Sequence, residues 1–201
     1  MLKNQKPQFQ LIYINGPSSA GKTTLAEALQ EAFCDPFLHI GIDKVIEMMP
    51  AKINDWEGGN APEGFSWKQG TDEKGNSIHE IQSGPFAQKM VLTLKEIVRT
   101  LAQLDHYVII DDVALSSSEV DVWRQALQPY KVLWIGLTAP LELLEERERM
   151  RDNRIQGSCR AQAAYVHHGV AYDLEFNTSK ESLQAIVDRI KTKIYPSLDH
   201  D

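Results

Sequence analysis

Residues 8–24 constrain the fold of this chain more than any other stretch. Four β-type residues, Leu11, Ile12, Tyr13 and Ile14, run through a short glycine-bearing turn into a helical pattern over Thr23–Phe33, with Leu25, Leu29 and Phe33 on one stripe. A strand that passes directly into a helix commits the chain to a βα unit, and so to a parallel sheet. The turn, Gly16 to Thr23, fits G-x-x-x-x-G-K-[ST], the phosphate-binding loop. Gly16 and Gly21 let the backbone curl so that successive N–H groups point at phosphate oxygens. Lys22 supplies a compact cation for the β/γ-phosphates, and the Thr23 hydroxyl is a ligand for Mg²⁺. The helix that follows adds the positive end of its dipole. The expected nucleotide-binding set is Gly16, Pro17, Ser18, Ser19, Ala20, Gly21, Lys22, Thr23 and Thr24, holding ATP with Mg²⁺.

Beyond the loop, apolar runs alternate with helical patterns. Residues 36–42 read as a second strand ending at Asp43, followed by a short helix stopped by Pro50. From Ala51 to Ser83 glycines and Pro62 break any helix, while Trp56, Phe65 and Trp67 add apolar surface. Within it, Phe65–Gln69 and Ser77–Ile81 pair as a hairpin across Asp72–Asn76. An amphipathic helix opens at Gly84-Pro85 and runs to about Leu104, and His106–Asp112 is a third strand. Ser116-x-x-Glu119 is a capping box, Lys131–Leu137 a fourth strand, and a charged helix covers 141–152. Gln156-Gly157 separates it from a helix over 158–168; 172–176 is a fifth strand, and Thr178-x-x-Glu181 caps the last helix. The expected architecture is α/β, a three-layer sandwich on a five-stranded parallel sheet, with 1–201 as one domain. Residues 51–83 read as a substrate-side insertion and 141–160 as an arginine-rich lid.

Parallel sheets place ligands beyond the C-terminal ends of their strands. That rule selects the phosphate loop, Asp43, and the pair Asp111/Asp112. Asp43 reads either as a general base facing an acceptor hydroxyl or as a helix N-cap, with Glu47 a second, weaker candidate. Asp111 ends an apolar run and is the expected metal carboxylate; Asp112 turns to the other side of the strand. Arg147, Arg151 and Arg154 share one face if their helix continues that far, and would close over the triphosphate. Arg149 lies off that face and can pair with Glu145; a merely solvated, salt-bridged helix is the alternative account of the whole run. The catalytic set is Asp43, Lys22, Arg147 and Arg151, with Arg154 on the nucleotide and Thr23 and Asp111 on the metal. His167-His168, near a helix end, is assigned to the dipole or solvent rather than to a metal.

A formal net charge of −7 argues against a broad nucleic-acid-binding face. The two cysteines, Cys34 and Cys159, lack metal-type spacing and read as a reduced pair. With no signal-peptide pattern and no apolar run near the ~20 residues of a membrane helix, a cytoplasmic location is expected.

With these pieces in place the chain resembles the chloramphenicol phosphotransferase family of P-loop kinases. The resemblance is carried by Asn15–Thr23, by Ile40–Pro50 including Gly41, Asp43 and Glu47, and by Val108–Val113. It continues through Val132–Gly136, the arginine series, and Gly169-Val-x-Tyr172-Asp173. It implies ATP-dependent transfer of the γ-phosphoryl group to a hydroxyl of a small molecule, with Asp43 matching the catalytic base. In the founding member the acceptor is a primary hydroxyl of chloramphenicol. Here the segment between Gly59 and Gly84 is longer than the family pattern, and Trp67 and Lys68 have no clear counterpart, so the acceptor is expected to differ. A nucleoside, shikimate-like or adenylylsulfate-like kinase shares the same loop chemistry, and a regulator that uses ATP as a switch is the reading from another class. The oligomeric state stays open.

Overall fold

The computed structural model describes residues 6–151 and 155–196. The chain begins with β1 (Leu11–Asn15), α1 (Lys22–Ala32), β2 (Phe37–Gly41) and α2 (Ile42–Glu47). A 3-10 turn at Ala51–Ile53 leads to the hairpin β3 (Phe65–Thr71) and β4 (Ser77–Ser83). Then come α3 (Pro85–Gln103), β5 (Tyr107–Asp112), α4 (Ser117–Leu127) and β6 (Val132–Thr138). The chain closes with α5 (Leu141–Arg149), α6 (Ser158–Ala163), β7 (Leu174–Asn177) and α7 (Leu183–Ile194). Five parallel strands form one sheet in the order β2-β5-β1-β6-β7, and β3-β4 is a separate antiparallel pair.

Side-chain alternation along the central strands builds two cores. Ile12 and Ile14 of β1, Ile109 of β5, and Leu133, Ile135 and Leu137 of β6 face a core shared with Leu25 and Leu29 of α1 and Ile186, Val187 and Ile190 of α7. Leu11, Tyr13, Val108 and Ile110 face the opposite side, where Leu94 and Val98 of α3 meet Trp123 and Leu127 of α4. Both sides of β1 are therefore fully buried, which is why Leu11–Ile14 run apolar and the polar Asn15 comes only at its end. Helices on both faces make the three-layer α/β sandwich. A smaller cluster of Met49, Phe65 and Ala87, flanked by Ile46, Ile81 and Met90, seats the hairpin on α2 and α3.

Several boundaries differ from the sequence reading. β2 stops at Gly41, and Asp43 lies in the first turn of α2, whose N-cap is Gly41. Asp43 is therefore not the N-cap residue of α2. α7 is capped by Ser182, whose hydroxyl accepts from the Ala185 N–H at 3.2 Å, and not by Thr178. The Ser116 cap holds as expected: its hydroxyl accepts from Glu119 N–H, while the Glu119 carboxylate reaches back to Leu115 N–H. α5 ends at Arg149 rather than 152, and α6 ends at Ala163 rather than near His168.

Candidate active site

At the C-terminal end of β1 the chain turns through Gly16–Gly21 into α1. The left-handed residues of this loop are Ser19 (φ 65°) and Gly21 (φ 96°), not Gly16. Gly16 is required for a different reason: a Cβ there would lie 2.6 Å from the Leu137 carbonyl oxygen of β6. The loop thus lies pressed against the sheet, with Pro17, Ser19 and Ala20 buried. The Lys22 ammonium reaches back to donate to the Pro17 carbonyl at 3.1 Å, and Gln162 of α6 accepts the Ser18 N–H at 2.6 Å. Two features fit an anionic ligand. Among the described residues no side chain caps the N-terminus of α1, and the buried Ser19 hydroxyl has no hydrogen-bond partner.

One strand away, the alternation of β5 sends its two terminal carboxylates to opposite faces. Asp111 follows the parity of Ile109 onto the α1 side, where its Oδ2 accepts the Thr23 hydroxyl at 2.6 Å. Asp112 follows Ile110 to the other side, where it accepts from Tyr13 (3.1 Å) and from the Trp123 indole (2.6 Å). Desolvation by burial alone would raise the Asp111 carboxyl; the neighbouring His39, the Lys22 cation and the Thr23 hydroxyl outweigh it and hold Asp111 below the ordinary carboxylate range. A threonine hydroxyl beside a carboxylate kept ionised is a hard-oxygen pair, which suits Mg²⁺ bound jointly with phosphate oxygens and water.

β2 brings two further residues to this end of the sheet. Gly41 pairs in register with Asp111, and a Cβ on it would sit 2.6 Å from the Asp111 carbonyl oxygen. His39, on the same side of β2 as Phe37, points its Nε2 at Asp111 Oδ2 from 3.6 Å, an ion-pair distance longer than a hydrogen bond. Asp43 is exposed in the turn just beyond Gly41, and Glu47 pairs with Lys44 at the surface.

Arg147 is brought to the loop and Arg151 is not. The Arg147 guanidinium donates to the Ser19 carbonyl (3.3 Å) and to the Thr178 hydroxyl (3.0 Å), so Thr178 binds the arginine instead of capping a helix. Arg151 lies past the end of α5 and is exposed, which breaks the single helical face expected for Arg147 and Arg151. Arg154 falls outside the described residues. Glu145 binds Arg160, at 2.7 Å, in place of the expected Arg149.

Five residues to which the sequence assigned no role complete the arrangement. Besides His39 and Gln162, the buried Glu148 carboxylate accepts from Gly157 N–H, Ser158 hydroxyl and Cys159 N–H at 2.6–2.8 Å, capping α6 from α5. Burial and this carboxylate push the Cys159 thiol up to about 12. Arg160 bridges Glu145 to Asp72 at the hairpin turn, and His79 of β4 meets the Gln156 carbonyl at 2.8 Å. A cavity of about 180 Å³ lies between β4, Leu115 and α6, lined by Glu80, Ile81, Gln82, Gln162 and Tyr165 among others. No local spacing in the sequence signals these contacts, since each joins separate elements of the chain.

Both ring nitrogens of His167 are taken by protein partners rather than by the solvent expected from the sequence. Its Nε2 meets the Leu137 carbonyl and its Nδ1 the Tyr172 hydroxyl, both at 2.9 Å, and that hydroxyl also accepts from the buried Asn15 amide. Burial holds the imidazole below its ordinary value, so it serves as a neutral strut under the loop.

The strand order, the loop at the end of the central strand and the carboxylate beside it define a P-loop kinase fold. Solved structures agree at the level of fold. A sugar kinase from Janibacter sp. HTCC2649 superposes with a TM-score of 0.62 at 17% identity, covering 92% of this chain and 93% of that one. The Mycobacterium tuberculosis APS kinase in complex with AMPPNP and APS gives 0.62 at 11% identity (93% and 98%), and the Deinococcus radiodurans tunicamycin resistance protein 0.61 at 16% (96% and 100%). A Mycobacterium tuberculosis protein provisionally named an O-phosphotransferase is 28% identical over 173 residues, 86% of this chain and 76% of that one. The model of the chloramphenicol phosphotransferase-like family matches residues 9–195, and the chain belongs to that family. It is a phosphotransferase of the small-molecule kinase type.

Proposed function

We propose that this enzyme moves the γ-phosphoryl group of ATP, taken as its Mg²⁺ complex, to a hydroxyl of a small molecule. One observation carries the reading: Thr23 of the phosphate loop hydrogen-bonds Asp111 at 2.6 Å, and Asp111 pairs in register with Gly41, two residues before Asp43. Loop, metal carboxylate and base candidate therefore share one end of three adjacent strands. The loop N–H groups, the Ser19 hydroxyl and Lys22 would bind the triphosphate. Thr23 and Asp111 are the residues that would hold Mg²⁺, which when bound there would neutralise charge on the phosphate oxygens. Asp43 would orient the acceptor hydroxyl and take its proton. Arg147, close to the Ser19 carbonyl, would offset charge on the transferred group, with Arg151 and Arg154 joining as residues 141–160 close as a lid.

Residues 51–83 would form the acceptor side of a single domain, with the acceptor lodged in the cavity between β4, Leu115 and α6. Residues 51–83 carry their own aromatic cluster, Trp56 with Phe65 and Trp67, and the cavity lining includes the acidic Glu80, which favours a neutral hydroxylated acceptor over an anionic one. Incubation with ATP·Mg²⁺ and a panel of chloramphenicol, nucleosides, sugars and hydroxy acids, read as ADP formed above background, tests the assignment. Acceptor-dependent ADP supports it; nucleotide binding without turnover on any acceptor favours the regulator reading instead.

A further inference from the structure

The imidazole of His39 has no role in the scheme above, yet its placement is unusual. It lies on β2 with its parity toward α1, the same side as Asp111 on the neighbouring strand. Nε2 is sealed from solvent and, among the described residues, has no hydrogen-bond partner. A buried ring nitrogen without a partner costs about 1–3 kcal/mol, so folding alone gives no reason to retain one. The group it points to is Asp111 Oδ2, 3.6 Å away, the same oxygen that accepts the Thr23 hydroxyl.

We infer that His39 is a positioning residue for the metal carboxylate: it donates from Nε2 to Asp111 Oδ2 and fixes the rotation of that carboxylate when Mg²⁺ and nucleotide are bound. This rests on the metal role proposed for Asp111. A move of well under 1 Å brings the pair from 3.6 Å to hydrogen-bond length. With Oδ2 held by Thr23 and His39, the carboxylate would be fixed from two sides. Partners of this kind behind a metal ligand are worth 10–100-fold in metal affinity. A neutral ring suffices, and no change in its charge is required.

The test is the linkage between Mg²⁺ and nucleotide binding, measured by calorimetry with a non-hydrolysable ATP analogue at graded Mg²⁺ and in EDTA. His39→Leu should weaken apparent Mg²⁺ affinity roughly 10-fold or more, leaving analogue affinity in EDTA within about 2-fold. His39→Gln, whose amide N–H reaches about as far as Nε2, should restore most of the linkage, and the shorter His39→Asn should not. The Gln and Asn variants decide the matter if the Leu variant does not fold. Unchanged Mg²⁺ affinity in Leu or Asn, or equal loss with and without metal, overturns the inference. A wild-type protein that binds the analogue with no Mg²⁺ linkage overturns the metal reading of Asp111 as well, so the two failures are distinguishable.

Discussion

The phosphate loop and the β3–β4 hairpin, with the helices α5 and α6 beside it, are held by opposite means. The loop sits directly on the central strands: Gly16 lies against the Leu137 carbonyl, Thr23 against Asp111, and Asn15 is buried in a network with Tyr172, His167 and the Ala114 backbone. The hairpin rests on the small Met49–Phe65–Ala87 cluster at its base, and its turn is tied to α5 and α6 by Arg160, which bridges Asp72 and Glu145. Close packing tolerates little change, whereas partly exposed ion pairs contribute little to stability and break readily. In the function proposed above, the loop would be a rigid donor half and the hairpin a detachable acceptor half, which suits binding a triphosphate in fixed geometry while admitting and releasing a second substrate. Because Arg160 and His79 connect the hairpin to the α5–α6 segment, the two should move together.

The largest effect should come at the junction of the halves. Asp43→Asn should lower kcat roughly 10²–10⁴-fold while nucleotide affinity stays nearly unchanged. Steady-state kinetics and calorimetry on one preparation measure both, and full turnover would remove Asp43 as the base. In the donor half, Lys22→Ala should lower kcat about 10²–10³-fold and weaken nucleotide binding as well; normal activity there would undo the whole scheme. Gly16→Ala forces a Cβ onto the Leu137 carbonyl and should cost about 1–3 kcal/mol in urea denaturation. A stability equal to wild type would mean that the loop is not pressed to the sheet.

The acceptor half should answer differently. Arg160→Ala should change global stability by less than about 1 kcal/mol, yet speed hydrogen exchange in both the hairpin and α6 and raise the acceptor KM with nucleotide affinity unchanged. Faster exchange in only one of them would separate hairpin from lid. The smallest effect concerns pH. Hydrogen bonds from the Asn76 side chain and backbone, with help from Arg160 and Lys74 N–H, bring the Asp72 carboxyl down to about 2. Because this folded value lies below the ordinary one of about 3.9, the turn's contribution is complete above pH ~4 and is lost as pH falls toward 2. Carbon-detected NMR titration of Asp72 should read about 2, moving upward in Asn76→Ala.

Much of the donor half was legible in the chain because its signals are local. The loop spacing, the apolar run before it and the alternation that separates Asp111 from Asp112 all fall within windows of a few residues. Of the contacts around the hairpin, only the hairpin itself was legible. Thr178 looked like a cap because Glu181 stands three residues on, but the Arg147 guanidinium takes its hydroxyl, and Ser182, followed by its own free turn of helix, does the capping. Arg149 and Glu145 have ideal helical spacing, yet a better partner for Glu145 arrives from α6. In both cases a tertiary contact outcompeted a local one.

By itself, the order of residues determined a βα unit with a phosphate loop, strands buried on both faces, and carboxylates at strand ends. Those features depend on periods of 2 and 3.6 residues and on motif spacing, which act along the chain. Only the tertiary structure decided that Asp111 is the carboxylate on the α1 side and that His39 stands behind it. It also decided that Glu148 closes the N-terminal end of α6 and that Arg160 joins the hairpin to α5. Those choices depend on which strands become neighbours, with β5 inserted between β1 and β2, and that follows from how the whole set of apolar faces packs together.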